Sequence, residues 1–172
     1  MLIREYRDGD GPGVVQSVQA TYADYGFSWD ADGYCKDLYD VPNSYEWFWV
    51  VESENEVVGC TALSLHRRVP GELGQTVVVE GTPRVSATDC ELHRLYIRPE
   101  VRGHRLGEKL LRTTCAKATE LGCSTIEIWS DKKLTHAHGL YERLGAIKSG
   151  ERICPGDPDE SPEWGFYLPL PI

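Results

Sequence analysis

Val101-Arg102-Gly103-His104-Arg105-Leu106-Gly107 is the stretch that decides the fold, because its pattern is typical of a loop that leaves a strand and begins a helix. Before it, residues 91–97 have the composition of a strand, which Pro99 ends because proline removes a backbone donor. After it, apolar residues recur at helical spacing from Leu106 to Leu121, and Gly122 stands where a left-handed helix cap is expected. The sequence therefore predicts this loop at the N-terminus of a helix.

A loop in that position is suited to bind anions. The first amides of a helix have no partner within the helix, and the helix dipole favours negative charge. Gly103 and Gly107 allow close approach of the backbone, and Arg102 and Arg105 add positive charge. These features predict a phosphate-bearing ligand, although a glycine-containing connection with solvated arginines explains the loop alone equally well. His104 either contacts the phosphate or is exposed to solvent.

Composition limits the class of protein. The chain has 172 residues, 41% of them hydrophobic, which predicts one globular domain over residues 1–172. Residues 1–6 contain no long apolar run, and no later segment is long enough to cross a bilayer, so we expect a cytoplasmic protein without membrane contact. The net charge of -9 disfavours nonspecific nucleic-acid binding and suits cationic small molecules, although solubility alone also explains it.

The cysteines argue against a disulfide framework and against a metal site. The six cysteines are scattered and include no CxxC pair, so free thiols are predicted. Zinc ligands normally occur in closely spaced pairs, and we therefore expect no metal.

The order of elements predicts a mixed α/β fold in which helices flank a sheet. A first helix is expected from Asp10 to Gly26, and a shorter one opened by Asp30 and Asp32. Residues 66–88 form a long connection in which residues 76–80 are expected to pair with their own return arm. The strands are predicted at residues 1–6, 46–52, 57–65, 90–97, 124–129, 147–153 and 163–168, and the later helices at residues 106–121 and 134–144.

The strand before the loop changes phase within its length. Cys90 and Leu92 share one phase of the two-residue repeat, whereas Leu95 and Ile97 share the other. A β-bulge produces such a slip, and bulges often lie beside active sites; a misplaced strand boundary is the alternative.

Two motifs together resemble the GNAT superfamily of acyl-CoA-dependent N-acetyltransferases. The first is Glu91-Leu92-x-x-Leu95-Tyr96-Ile97-x-Pro99-Glu100-x-Arg102-Gly103-x-x-Leu106-Gly107, and the second is Ala137-x-x-Leu140-Tyr141-Glu142-x-x-Gly145. Both motifs in this order, with a strand between them, are more specific than either one. The resemblance implies a mixed, mostly antiparallel, twisted sheet of about seven strands, flanked by about four helices, with splayed central strands.

In that family acetyl-CoA is the acyl donor and lies in the gap between the splayed strands. The resemblance implies that pantetheine contacts the strand backbone and that the loop wraps the pyrophosphate. Two positions depart from the family pattern, because Arg105 replaces a glycine and Leu134 replaces an asparagine that faces the cofactor in many members. The cofactor residues implied in this way are Leu95, Tyr96, Ile97, Arg102, Gly103, His104, Arg105, Leu106, Gly107 and Ala137.

Acetyl transfer to an amine requires a neutral amine, a polarised carbonyl and a proton for the departing thiolate. The resemblance assigns Glu91 as the base for the amine, directly or through water; the alternative for a strand carboxylate is solvation or pairing with His93 or Arg94. It assigns Tyr141 as the proton donor to the thiolate, although its position in an apolar helix stripe also fits core packing. A backbone amide of the splayed strand would polarise the carbonyl.

Three polar residues near the second motif are expected to have ordinary structural roles. His136 and His138 flank Ala137 on a helix and cannot both face one site, so we expect both at the surface. Asp131 is expected to cap the last helix rather than to orient a substrate.

The acceptor is expected to be a primary amine on a small cationic molecule. Its pocket should be walled by the early helices, the connection at residues 66–88 and the acidic loop at residues 154–162. A noncatalytic acyl-CoA sensor and a protein-amine acetyltransferase are the alternatives, and a homodimer through the connection or the C-terminal strands is left open. The aromatic and acidic residues expected near the acceptor are Tyr22, Tyr25, Trp29, Tyr34, Trp47, Trp164, Asp157, Asp159, Glu160 and Glu163.

Overall fold

A computed structural model describes residues 1–172, and apart from the second predicted helix its elements follow the predicted order. The helices are α1 (Gly11–Tyr25), α2 (Val41–Ser44), α3 (Leu106–Glu120) and α4 (Thr135–Arg143), with 3-10 turns at Lys36–Tyr39 and Pro99–Val101. The strands are β1 (Leu2–Glu5), β2 (Trp47–Ser53), β3 (Glu56–Leu65), β4 (Thr76–Val79), β5 (Thr82–Val85), β6 (Cys90–Ile97), β7 (Thr125–Asp131), β8 (Ile147–Ile153) and β9 (Pro162–Pro169).

Seven of the strands form one sheet in the order β1-β2-β3-β6-β7-β9-β8. Every neighbouring pair is antiparallel except β6 and β7, which are parallel. The predicted mixed, mostly antiparallel sheet is therefore confirmed. The strands β4 and β5 pair only with each other, which confirms the hairpin expected within the long connection.

The parallel strands β6 and β7 are paired at one end only. Their register runs from Cys90 opposite Ile126 to Leu92 opposite Ile128 and then stops. From that point β6 has no strand partner on this side, while β7 continues against β9 as far as Asp131. The two central strands are thus splayed, as expected.

A bulge on β6 explains the change of phase in the sequence. His93 pairs with Ala62 and Tyr96 pairs with Cys60, so two residues of β6 face one residue of β3. Arg94 lies in this bulge with a φ of 53°, in the left-handed region. Because a bulge inserts one residue, the side chains that follow it point to the opposite face from those expected without it.

Helices cover both faces of the sheet. On one face, α3 and α4 pack against the strands, and Leu110 and Phe166 are completely buried there. On the other face, α1 packs through Val14 and Val18, which are also completely buried. Alternate residues of β2 and β3 contribute to the two cores, as the two-residue period of a strand requires. None of the helices has the combination of length and apolar composition that a bilayer crossing needs.

The helix expected to begin at Asp30 and Asp32 is not formed, and that prediction was wrong. The Asp30 carboxylate accepts hydrogen bonds from the backbone N–H groups of Gly33 and Tyr34, both at 3.0 Å. An aspartate that binds nearby backbone donors in this way stabilises a turn in competition with a helix. The chain then forms only the short 3-10 turn and the four-residue α2.

Candidate active site

Two cavities meet where β6 and β7 separate. The large cavity, with a volume of ≈ 610 Å³, lies beside the N-terminus of α3. The small cavity, of ≈ 270 Å³, contains Glu91 and Tyr141. Leu95, Tyr96 and Leu134 line both of them, so the two spaces are contiguous at the splay.

The large cavity gathers the residues that the motifs single out for a cofactor. His104 is the exception, because it is exposed and its ring Nδ1 lies 3.1 Å from the carbonyl oxygen of Val101. The residues named by the motifs therefore lie around one cavity, and their role in cofactor binding stays a prediction. The predicted cofactor residues that line it are Leu95, Tyr96, Ile97, Arg102, Gly103, Arg105, Leu106, Gly107 and Ala137.

The loop before α3 keeps a glycine-like conformation although one glycine is missing. Arg105 stands at the N-cap of α3 with a φ of 55°, in the left-handed region that a glycine adopts without steric cost. Gly103, two residues earlier, has a φ of 88°. Although an arginine replaces the family's glycine at position 105, the backbone there keeps the left-handed conformation that a glycine would favour.

The arginines available to bind an anion in the large cavity are not the two that the motif suggests. The Arg102 guanidinium pairs with Asp24 of α1 at 2.6 Å and lies over the ring of Tyr25 at 5.4 Å. Arg105 and Arg143 also line the cavity, and neither has an ion-pair partner. They are the guanidinium groups available for an anion there.

Glu91 lies in the small cavity and is held by a residue that the sequence did not point to. Its Oε2 lies 3.3 Å from Nη2 of Arg84, and its Oε1 lies 3.8 Å from Nδ1 of His93. Arg94, the other expected partner, instead pairs with Asp37 at 2.7 Å. The Glu91 side chain is only 14% exposed. Burial, with the neighbouring charge of Glu127, raises its pKa to about 7.

Glu127 is a completely buried carboxylate directly opposite Glu91 in the register of β6 and β7. Burial opposes its ionisation, but hydrogen bonds from Arg84, Val85 and Trp129 prevail and hold its pKa below the ordinary value. Sequence reasoning missed this residue. The available signal was a charged residue between Ile126 and Ile128 in the middle of an apolar strand.

The surroundings of Tyr141 fit both alternatives that the sequence left open, core packing and a place at the candidate site. Its ring belongs to the core and packs edge-on against Phe166 at 5.7 Å, yet the residue also lines the small cavity. Burial raises the pKa of the hydroxyl, which Ser130 contacts. The phenol is therefore protonated at neutral pH and can donate a proton.

Two expectations about α4 were wrong. His138 is buried rather than exposed, with Nε2 at 3.2 Å from Oγ of Ser130, because it shares the inner face of the helix with Tyr141. Asp131 does not cap α4, because its carboxylate accepts a hydrogen bond from the N–H of Lys133, before the helix begins. His136 is exposed, as expected, and lines the large cavity.

The walls of the small cavity differ in part from the expected ones. The connection at residues 66–88 contributes no lining residue and instead supports the site from behind through Arg84. Tyr25 lines the large cavity. Of the residues expected near the acceptor, Tyr22, Tyr34, Asp157 and Glu163 line the small cavity, whereas Trp29, Trp47, Trp164, Asp159 and Glu160 do not.

One group of side chains could hold a metal ion by proximity, and it lies outside both cavities. The ligand atoms of Asp89, Cys90 and Cys123 are within 4.8 Å of one another. The Asp89 carboxylate already accepts hydrogen bonds from Ser124 and Thr125.

All six cysteines are free thiols, as the sequence predicts.

Comparisons with known proteins identify the family. Residues 15–146 match the model of the Acetyltransferase (GNAT) family. Over 142 residues the chain is 30% identical to the uncharacterized N-acetyltransferase YjgM of Escherichia coli, covering 79% of this chain and 75% of that protein. An acetyltransferase structure from Streptococcus agalactiae aligns with a TM-score of 0.75 at 18% identity over 98% of each chain. The structure of yncA from Salmonella typhimurium with its cofactor acetyl-CoA aligns with a TM-score of 0.69 at 17% identity, covering 100% of this chain and 95% of that one. With matching motifs, fold and sequence, the chain belongs to the GNAT family of acetyltransferases and is an acyltransferase enzyme.

Proposed function

We propose that this enzyme transfers the acetyl group of acetyl-CoA to the primary amine of a small cationic molecule, by direct attack within a ternary complex. The observation that carries the proposal is the meeting of the two cavities at Leu95, Tyr96 and Leu134. A donor in the large cavity and an acceptor in the small one would present thioester and amine to each other at this junction. Such positioning can supply a large part of the rate acceleration.

The large cavity has features that suit the donor. On the side of β7, β6 has no strand partner after Leu92, so the backbone groups of Leu95–Ile97 that face this side can pair with pantetheine. The pyrophosphate would lie against Arg102–Gly107 at the N-terminus of α3, where unpaired amides and the helix dipole favour anions.

Glu91 would remove the proton of the acceptor ammonium. A base acts best when its pKa lies near the working pH, and burial raises the pKa of Glu91 to about 7. The neutral amine then attacks the thioester carbonyl carbon, a C–N bond forms and the C–S bond breaks, and the nitrogen releases its second proton, which restores the hydroxyl of the proton donor through solvent.

Tyr141 would return a proton to the departing thiolate sulfur. It lines the small cavity, and burial keeps its hydroxyl protonated at neutral pH. A phenol and a thiol ordinarily have pKa values in the same range, which favours proton transfer between them.

The charge of the small cavity supports a cationic acceptor. Its two arginines are neutralised, because Arg94 pairs with Asp37 and Arg152 pairs with Glu163, both at 2.7 Å. No free guanidinium is therefore left in this cavity to attract an anionic acceptor.

Two carboxylates of the same cavity have no cationic partner. Asp131 and Asp157 each accept a hydrogen bond from a backbone N–H group, of Lys133 and Ser161 respectively, and neither forms an ion pair. Unpaired carboxylates would attract a positively charged substrate.

The size of the small cavity supports a small acceptor. The loops that carry Phe27 and Asp157, both of which line it, are joined by hydrogen bonds from the backbone and hydroxyl of Ser28 to Asp159 at 2.7 and 2.6 Å. A volume of ≈ 270 Å³, bordered by these joined loops, suits an amine of modest size.

A panel of amines with acetyl-CoA, followed by release of free CoA thiol, tests the proposal. We expect turnover with small cationic primary amines and saturable acetyl-CoA binding by calorimetry. Binding without turnover on any amine would instead indicate an acyl-CoA sensor, and acetylation of proteins alone, seen by mass spectrometry, would indicate a protein-modifying enzyme. Turnover only with neutral arylamines would contradict the cationic preference.

A further inference from the structure

Arg84 reaches the candidate site from outside the main sheet. It lies on β5, which pairs only with β4, yet its guanidinium contacts side chains of both β6 and β7. Nη2 lies 2.6 Å from Oε2 of Glu127 and 3.3 Å from Oε2 of Glu91. One nitrogen is therefore shared between the two carboxylates.

Glu127 anchors Arg84 in this position. The Arg84 Nε lies 3.1 and 3.0 Å from the two carboxylate oxygens of Glu127, so the guanidinium is held at more than one point. The N–H of Val85, the next residue of β5, also donates to Glu127 at 2.7 Å. Trp129 and Thr88 donate to the same carboxylate at 2.6 and 3.3 Å. So many donors on a fully buried carboxylate make the orientation of β5 and Arg84 well determined.

The pairing of β6 with β7 creates a need for this arginine. Residues directly opposite each other in neighbouring strands point to the same face, so the carboxylates of Glu91 and Glu127 are neighbours. Two such charges destabilise each other unless a cation lies between them.

We propose that Arg84 is a positioning residue for acetyl transfer, which orients the Glu91 carboxylate and offsets the charge of Glu127 so that Glu91 can ionise and act as the base. This inference rests on the proposed function, in which Glu91 removes the proton of the acceptor amine. Arg84 lines neither cavity and would act only through Glu91.

The charges around Glu91 define the expected effects. Burial and Glu127 raise its pKa to about 7, and Arg84 lowers it. Removing Arg84 should therefore move the titration of Glu91 to higher pH, and removing the charge of Glu127 should move it to lower pH. The other titratable or charged groups that face this site are Arg152 of β8, His66 after β3, His93 of β6 and Glu163 of β9.

The test compares Arg84→Gln with Glu127→Gln, because the two substitutions have opposite predicted effects. The Glu91 carboxyl is titrated by carbon-13 NMR without substrate, with Glu91→Gln assigning the signal. We expect the midpoint to rise by about one pH unit or more in Arg84→Gln and to fall in Glu127→Gln. In the pH profile of kcat/KM, activity falls at low pH as Glu91 is protonated, and the midpoint of this acidic limb should move in the same directions. At pH values below that midpoint, Arg84→Gln should therefore have a kcat/KM about tenfold lower than the wild type. Arg112→Gln, which removes an exposed guanidinium on α3, is the control and should leave both measurements unchanged.

Arg84→Gln leaves Glu127 buried without a cation, which is expected to lower the stability of the fold. Glu127→Gln retains the shape of the side chain and tests, in a stable protein, that the charge of Glu127 raises the titration midpoint of Glu91. A merely structural role predicts no opposite displacement of the two midpoints. Unmoved midpoints, or a midpoint that fails to fall in Glu127→Gln, would overturn the proposal. Because the NMR titration needs no turnover, an enzyme that acetylates no amine would contradict the proposed function without affecting this test.

Discussion

Glu91 and Glu127 lie opposite each other in the short parallel pairing of β6 and β7, one residue before the two strands separate. Glu127 is completely buried and ionised by its hydrogen bonds, whereas Glu91 borders the small cavity. Burial, together with this adjacency, raises the pKa of Glu91 to about 7. A carboxyl group is thereby suited to accept a proton from an amine at physiological pH.

At a pH high enough for Glu91 to be ionised in the wild type, Glu91→Gln should lower kcat/KM for the amine about 100-fold, because a general base contributes about that factor or more. In the wild type, kcat/KM should fall as the pH decreases through about 7, since protonation of Glu91 removes the base. The free-thiol assay over a range of pH measures both effects, and calorimetry should show little change in acetyl-CoA affinity. Glu120→Gln, at an exposed position on α3, is the control. Full activity in Glu91→Gln would exclude it as the base.

His93→Gln should leave the position of the acidic limb unchanged, although an ordinary histidine titrates near that pH. Burial, with the nearby charge of Arg94, lowers the pKa of His93 to about 4, so the ring is neutral throughout the neutral range. The pH profile of kcat/KM for this variant is the measurement. Disappearance of the limb in His93→Gln would assign it to the histidine and not to Glu91.

Tyr141→Phe should lower kcat about 100-fold, because the thiolate would lose its proton donor. The ring packing against Phe166 is retained in the variant, so the free energy of unfolding should change little. Steady-state kinetics and the acetyl-CoA dissociation constant separate loss of chemistry from loss of binding. Tyr39→Phe removes a hydroxyl from an exposed tyrosine and serves as the control. Equal kcat in wild type and Tyr141→Phe would leave the tyrosine with a packing role only.

Arg105→Gly should be more stable than Arg105→Ala by about 1 kcal/mol, because the left-handed conformation imposes a steric cost on every residue with a Cβ. Both variants lose the same guanidinium, so both should bind acetyl-CoA more weakly and to a similar extent. Urea unfolding and calorimetry on this matched pair give the two comparisons. If glycine and alanine gave equal stability, the loop would not keep its left-handed conformation in solution.

The features that could be predicted are those that depend on short stretches of chain. Proline, glycine and apolar periodicity near residues 91–122 were sufficient to predict a strand, a loop and a helix in that order. The phase slip between Leu92 and Leu95 predicted the bulge, because the two-residue period of a strand is visible within a few residues. The predicted cofactor residues could then be assigned to one cavity, which they line apart from His104.

The partners of the charged residues could not be predicted in this way. Arg84 and Glu127 are 43 positions apart, and nothing in either neighbourhood indicates that the other is its partner. His138 was expected at the surface because its helix pattern does not reveal that Ser130 and Phe166 cover it.

The sequence by itself therefore determined the order of most elements, the bulge and the position of the loop before α3, since each results from interactions between residues close together in the chain. Only the tertiary structure decided that Arg84, from a hairpin outside the main sheet, lies between Glu91 and Glu127. Ion pairs depend on which strands become neighbours, and the strand order of a sheet is a long-range property of the whole chain.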